Sequence, residues 1–283
     1  MSTPTGSPAG SPTGSPTGSP AGTLHNRVAL VTGASAGIGR AIAQDLLAHG
    51  AKVVINARRA ELLRQVAAEL DPSGKRIATV PGDTADDAVI ASMLSAAQSA
   101  FAAPVDLVIV NAGRGLNGSV LTSDTAQWDE LVRTNLLGAA RLMRAAGLAM
   151  LGQVPADQTG QTGSWTAKPR DIVVIGSVVG RHVSPFSSMY GGTKFAVHGM
   201  VEGVRRELGP KGIRVSLVEP GFVVSEFQGV AGYDPAWFAS VKDRIGPVLE
   251  PIDVARAITF LAAQPASVHI SDLLIRPTRQ DYP

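Results

Sequence analysis

From Arg27 onward, short runs of β-branched and aliphatic residues alternate with longer amphipathic stretches. Val28–Val31, Lys52–Asn56, Arg76–Pro81, Leu107–Asn111, Ile172–Ser177 and Arg214–Pro220 lack the every-second polar residue of a half-exposed strand. They are therefore predicted to be strands covered on both faces, as in a parallel sheet. Helical spacing fills the intervals Ile38–His49, Ala60–Leu70, Asp86–Phe101, Ala126–Met150 and Met189–Leu208. His269–Arg276 is the expected last strand. A repeated strand–helix pattern of this kind predicts an α/β fold, a doubly wound parallel sheet.

Two segments break the pattern. Thr3 to Gly22 repeats a Gly-Ser-Pro-(Thr/Ala) unit that has nothing apolar to bury, so residues 1–23 are expected to form a disordered, solvated tail. Residues 24–283 then form one domain. Gln153–Lys168 is rich in Gly, Thr and Gln and is expected to be a surface loop. Composition narrows the function. Apolar residues are 45% of the 283, enough for a sizeable core. The net charge is only +2 and no basic run stands out, which argues against a nucleic-acid partner. Cysteine is absent, which excludes disulfides and thiolate metal sites. No stretch is apolar enough to span a bilayer and no signal sequence opens the chain, so a cytoplasmic location away from membranes is expected. The histidines lack ligand spacing, and no metal site is expected. Asp86-Asp87 reads as an acidic pair at a helix N-terminus.

The first strand runs into Thr32-Gly33-Ala34-Ser35-Ala36-Gly37-Ile38-Gly39. Glycines at such a turn let backbone N–H groups approach a pyrophosphate at the start of the following helix. The spacing is not the literal G-x-G-x-x-G, but its place between a buried strand and a helix marks a Rossmann-type dinucleotide cradle spanning Gly33, Ser35, Ala36, Gly37, Ile38 and Gly39. The second strand ends in Asn56-Ala57-Arg58-Arg59. Folds that prefer NAD place an acid there for the ribose 2′-hydroxyl. Arg58 and Arg59 instead suit a 2′-phosphate, so NADP(H) is the expected cofactor.

Together with Asn111-Ala112-Gly113, Ser177, Tyr190-Gly191-Gly192-Thr193-Lys194 and Pro220-Gly221, these features resemble the short-chain dehydrogenase/reductase family. The resemblance covers essentially everything after Leu24. It implies that Asp83 contacts the adenine and that Asn111, Ala112 and Gly113 line the adenosine side, although Val110 replaces the family's first Asn. It implies that Pro220, Gly221, Val223 and Ser225 lie beside the nicotinamide, with Ser225 where threonine is common. Tyr190, Ser177, Lys194 and Asn135 take the family's catalytic positions. Tyr190 is expected to exchange a proton with a carbonyl oxygen, and Ser177 to hydrogen-bond that oxygen. Lys194 is expected to hold the nicotinamide ribose, and Asn135 to hold a relay water. Tyr190 and Lys194, four apart on a helix, share a face, and the ammonium is expected to lower the tyrosine pKa. The family habit also implies a homotetramer.

Rival functions remain at this point. A non-catalytic NADP-binding sensor would usually lack the tyrosine or lysine. An epimerase or dehydratase would need a larger C-terminal part. An enoyl reductase spaces the two residues more widely. The chain end, Leu274-Ile275-Arg276-Pro277-Thr278-Arg279-Gln280, looks more like the branch acting on hydroxy acids, aldehydes and secondary alcohols than the acyl-carrier ketoreductases. Residues 222–238 hold five of the chain's thirteen aromatics, Phe222 and Trp237 among them, and no Lys or Arg. The resemblance implies that this segment folds over the substrate as a lid, and an aromatic lid favours a neutral, apolar carbonyl substrate. Arg114, just after Gly113, is the residue that could instead bind an acid.

Overall fold

The computed structural model describes residues 23–154, 165–182 and 185–282. Residues 1–22, which hold the expected tail, and most of the expected 153–168 loop lie outside the described residues.

Seven parallel strands form one sheet in the order β3-β2-β1-β4-β5-β6-β7. They are β1 (Val28–Thr32), β2 (Lys52–Ala57), β3 (Ile77–Pro81), β4 (Leu107–Val110), β5 (Asp171–Ile175), β6 (Arg214–Pro220) and β7 (Asp272–Ile275). Side chains alternate between faces along each strand, which separates the core into two halves. Ala29 and Val31 of β1 pack on one face with Ile42, Leu46, Val254 and Ile258. Val28 and Leu30 pack on the other with Met93, Leu142, Met143 and Val201. Helices α1 (Gly37–Ala48), α2 (Ala60–Leu70) and α9 (Pro251–Ala262) cover the first face. Helices α3 (Asp87–Phe101), α5 (Ala139–Leu151) and α6 (Ser188–Leu208) cover the second. Every inner strand therefore has two buried sides, and this is why its sequence shows no polar alternation. The winding reverses between β1 and β4, and their C-terminal ends open a crevice at that switch point.

The expected helix Ala126–Met150 is not one helix. A 3₁₀ turn (Thr125–Gln127) precedes α4 (Trp128–Val132), then a π-helical segment Arg133–Gly138, then α5. The side chain of Asn135 leaves the helix to bond the backbone of Arg114, and a π segment accommodates such an excursion. Three further helices were not read from the sequence: α7 (Phe227–Ala231), α8 (Pro235–Ile245) and α9. Asp86, by contrast, caps α3 as its sequence context suggested, accepting from the Ala88 N–H at 2.8 Å.

The strand starts, opposite the crevice, are tied by a buried ionic cluster. Arg27 bonds Asp106 at 2.6 Å and Asp171 at 2.7 Å, and Arg214 bonds Asp171 through both Nε (2.6 Å) and Nη2 (2.9 Å). Lys168 adds a fifth charge, 2.5 Å from Asp106. Both carboxylates are completely buried, so they are held in place by paired charges, with Lys168 reaching in from the surface.

Candidate active site

At the C-terminal ends of the strands lies a cleft of about 1010 Å³. Its first wall is the turn after β1. Gly33 (φ +66°) and Gly37 (φ +53°) adopt left-handed backbone that side chains disfavour. A Cβ on Gly39 would strike the Gly33 carbonyl oxygen, so only glycine lets α1 pack this close to the turn. No side chain caps α1 and no acid stands in its first turn. Its first N–H groups therefore face the cleft with the positive end of the helix dipole, which suits an anion such as a pyrophosphate. The Thr32 hydroxyl, which sequence reasoning passed over, fastens the next wall. It donates to Ile109 O at 3.2 Å and accepts from the N–H groups of Asn111 (3.0 Å) and Ala112 (3.1 Å). The Asn111 amide adds a bond to Thr32 O at 2.8 Å.

The outer end carries arginines, each held by an acid. Arg58 pairs with Glu130 at 2.7 Å, Arg59 with Glu226 at 3.0 Å, and Arg133 with Asp83 at 2.8 Å. Burial opposes ionisation of Asp83. The Ala85 N–H and the Arg133 guanidinium outweigh it and hold this carboxyl below its usual range.

The inner end is built by α6 and the turn after β5. Ser177 opens a 3₁₀ turn, Val178–Gly180, and accepts weakly from the Val179 N–H at 3.4 Å. Tyr190 and Lys194 are both buried on one face of α6. Burial pushes the Tyr190 phenol well above its ordinary value; Tyr233 adds to the rise, and a side-chain hydrogen bond from Ser177 opposes it. Lys194 was expected to lower that value, but it has no such effect here. Its Nζ donates to Ile175 O at 2.8 Å and sits 5.8 Å from the centre of the Tyr190 ring. Burial lowers the lysine's own pKa from 10.5 to about 8.

Every residue expected at the site lines this cleft except Asn135. Asn135 is buried behind it. Its Oδ1 accepts from the Arg114 N–H at 2.8 Å, and its Nδ2 donates to Arg114 O (2.9 Å) and to Thr193 Oγ1 (3.2 Å). The side chain is thus a clamp between the segment after β4 and α6. Arg114 turns its guanidinium to Gln127 Oε1 at 2.5 Å and leaves Nε buried with no partner among the described residues.

The expected lid carries an aromatic relay. Tyr190 meets Phe227 (centroids 5.5 Å apart), Phe227 meets Tyr233 (6.3 Å), Tyr233 meets Trp237 (5.4 Å) and Trp237 meets Phe222 (6.4 Å). The chain's C-terminal segment, unmarked by any motif, completes the wall. Gln280 Oε1 accepts from the Phe222 N–H at 3.0 Å and packs on Gly221, leaving no room for a Cβ there. Below the site His198, one turn beyond Lys194, packs against Gly176 and Gly180, with its Nδ1 3.6 Å from the buried Glu219. Arg181 grips that carboxylate at 2.5 and 2.6 Å. Burial, aided by the charges of Lys194 and Arg181, keeps the His198 pKa below the ordinary value despite Glu219 and Asp272.

Comparison with known proteins agrees with this geometry. The sequence model of the family described as short chain dehydrogenase matches residues 27–234. An uncharacterized oxidoreductase of Staphylococcus aureus (strain MW2) is 32% identical over 254 residues, covering 90% of this chain and 98% of the relative. The closed form of serine dehydrogenase complexed with NADP+ superposes with a TM-score of 0.75 at 28% identity, over 90% of this chain and 96% of its own. The 3-ketoacyl-(acyl-carrier-protein) reductase from Brucella melitensis complexed with NADH gives 0.78 at 25% identity, over 90% and 99%. A doubly wound parallel sheet, a glycine cradle at its switch point and a matching family model over most of the domain lead to one assignment: this chain is an oxidoreductase of the short-chain dehydrogenase/reductase family.

Proposed function

We propose that the protein is an NADP(H)-dependent ketoreductase and alcohol dehydrogenase that interconverts a ketone or aldehyde with its alcohol, with Tyr190 as acid and base. The observation that carries this reading is the convergence of Tyr190, Lys194 and Ser177 at the inner end of a cleft whose outer end has an uncapped helix and two arginines after β2. A non-catalytic binder would have no need of a buried ammonium beside a buried phenol, an arrangement that costs stability.

When bound, a reduced nicotinamide supplies the hydride. The cradle from Gly33 to Gly39 holds the pyrophosphate by its N–H groups. Asp83 and the segment from Asn111 to Gly113 border the adenosine, and Pro220, Gly221, Val223 and Ser225 border the nicotinamide end. Arg58 or Arg59 meets the 2′-phosphate. The relatives support a nicotinamide cofactor but divide on its type, since one was solved with NADP+ and another with NADH. Preference for the phosphorylated form therefore rests on the arginines and on the absence of an acid at the end of β2.

Tyr190 donates its proton to the carbonyl oxygen as the hydride reaches carbon, and takes it back in the oxidative direction. Ser177 hydrogen-bonds the same oxygen. Burial makes the phenol a reluctant anion, so Tyr190 carries its proton at neutral pH, ready to be donated. Lys194 would bind the nicotinamide ribose. Asn135 keeps the loop at Arg114 and helix α6 in register, and a relay water behind Lys194 would be held in its neighbourhood. Four such protomers would form the homotetramer usual for the family.

The aromatic relay favours a neutral aryl or alkyl carbonyl substrate. One observation favours a second reading: the buried Nε of Arg114, without a partner among the described residues, would suit a carboxylate, and the sequence resemblance reaches hydroxy-acid enzymes. Oxidation of NADPH, followed by absorbance, with a matched ketone and keto acid of equal length tests both. Higher kcat/KM for the ketone is expected. A clear preference for the keto acid assigns Arg114 to the pocket, and no turnover with any carbonyl defeats the enzymatic reading.

A further inference from the structure

Among the three arginine–carboxylate pairs at the outer end of the cleft, one joins the cofactor cradle to the substrate lid. Arg59 stands two residues after the end of β2, at the N-cap of α2. Its Nη2 donates to Ser35 Oγ in the cradle at 3.3 Å and to Glu226 Oε2 at 3.0 Å. Glu226 immediately precedes α7, the first helix of the lid. The neighbouring lid residue, Ser225, rests on the cradle itself: a Cβ on Gly37 would lie 3.2 Å from Ser225 Cβ. The lid thus approaches the cradle at two adjacent points, at Ser225 too closely for a Cβ on Gly37 and at Glu226 by a charged bond. Both partners of the charged contact are more than half exposed, with side-chain exposures of 57% and 61%, so it can exchange readily with a ligand.

We propose that Glu226 is a cofactor-discriminating residue, a latch whose carboxylate occupies the Arg59 guanidinium until a 2′-phosphate displaces it. The proposal rests on the reading of the cofactor site given above. A guanidinium offers a planar pair of donors that suits carboxylate and phosphate alike. A phosphate monoester carries more charge and more acceptor oxygens than a carboxylate, so it prevails when delivered to the same place. NAD(H) carries a hydroxyl at that position and leaves the latch fastened. Glu226 therefore weakens NADP(H) binding and leaves NAD(H) binding unaltered, and the lid is released from its ionic fastening only by the phosphorylated cofactor. A ligand can shift the lid only as far as its affinities for the two arrangements differ, and competition for Arg59 supplies that difference.

The test compares wild type, Glu226→Gln, Arg59→Ala and the double variant. NADPH and NADH dissociation constants are measured by nicotinamide fluorescence, and amide exchange across residues 225–238 is followed before cofactor is added. Glu226→Gln is expected to bind NADPH up to about fivefold more tightly, the factor set by one exposed ion pair. NADH binding should not change, and lid amides should exchange faster in the cofactor-free protein. Arg59→Ala should weaken NADPH binding and abolish the effect of Glu226→Gln in the double variant. Unchanged or weaker NADPH binding in Glu226→Gln, an equal gain for NADH, or an effect that survives in the double variant overturns the latch. If Arg59→Ala leaves NADPH affinity intact, the cofactor reading fails at this residue. If it weakens NADPH while Glu226→Gln does nothing, that reading stands and the latch alone falls.

Discussion

Replacing Lys194 by methionine exchanges a buried ammonium for an apolar chain of similar length. Burial lowers the lysine pKa from 10.5 to about 8. At about 1.4 kcal/mol for each pKa unit, the protonated side chain destabilises the fold by roughly 3 kcal/mol. The substitution also removes the bond to Ile175 O, worth about 1–2 kcal/mol. A net gain of about 1–2 kcal/mol at pH 7 follows, which raises Tm by roughly 2–6 °C for a domain of this size. The pH dependence carries a definite sign. Below pH 8 the lysine is protonated in folded and unfolded chains, and the full penalty applies. Between pH 8 and 10.5 only the unfolded chain keeps the proton, so wild-type stability rises with pH relative to Lys194→Met. Thermal and urea unfolding of both proteins from pH 6 to 11 should show the variant ahead at neutral pH and losing that lead above pH 8. A variant no more stable at pH 7, or a difference indifferent to pH, would show that Lys194 is solvated or paired and refute the reasoning.

Other perturbations probe separate parts of the account. Arg58→Asp should weaken NADPH binding and shift preference toward NADH, and equal kcat/KM for the two cofactors in the wild type would remove the basis for it. Gln280→Ala removes the acceptor that holds the Phe222 N–H, so KM for the carbonyl should rise by about three- to tenfold while the cofactor dissociation constant holds; a KM unchanged in steady-state kinetics would mean that the C-terminal segment does not support the lid. Asp171→Asn leaves Arg27 and Arg214 without their shared carboxylate and should cost about 3–5 kcal/mol in urea unfolding, with kcat of the folded fraction retained.

The strands were legible because each inner one is buried on both sides, and a run such as Val53-Val54-Ile55 has no solvated face to mark. The cradle was legible because glycine is demanded there by backbone conformation and by the close approach of Gly39. Less local features escaped. The helix Ala126–Met150 reads as continuous because a π segment leaves no mark in hydrophobic spacing, and the bond that Asn135 makes from within it joins Arg114, 21 residues away. Helix α9 carried a signal that was not used: Glu250, Pro251 and Asp253 form a capping box with proline at the first turn. Gln280 and the Arg27–Asp106–Asp171–Arg214 cluster join residues from distant stretches of chain, and only the fold brings them together. The expected effect of Lys194 on Tyr190 failed for a related reason. Four residues on a helix fix a shared face, but the depth of burial that governs both groups belongs to the tertiary structure.

The central claim is that Tyr190 delivers the proton during carbonyl reduction. Tyr190→Phe removes one oxygen and keeps the ring against Phe227. Single-turnover reduction of a ketone by preloaded NADPH should be slowed by about a hundredfold or more, the scale of a lost general acid, while NADPH binds the variant as tightly as the wild type. A single-turnover rate near the wild-type value would contradict the account and give the proton to another group.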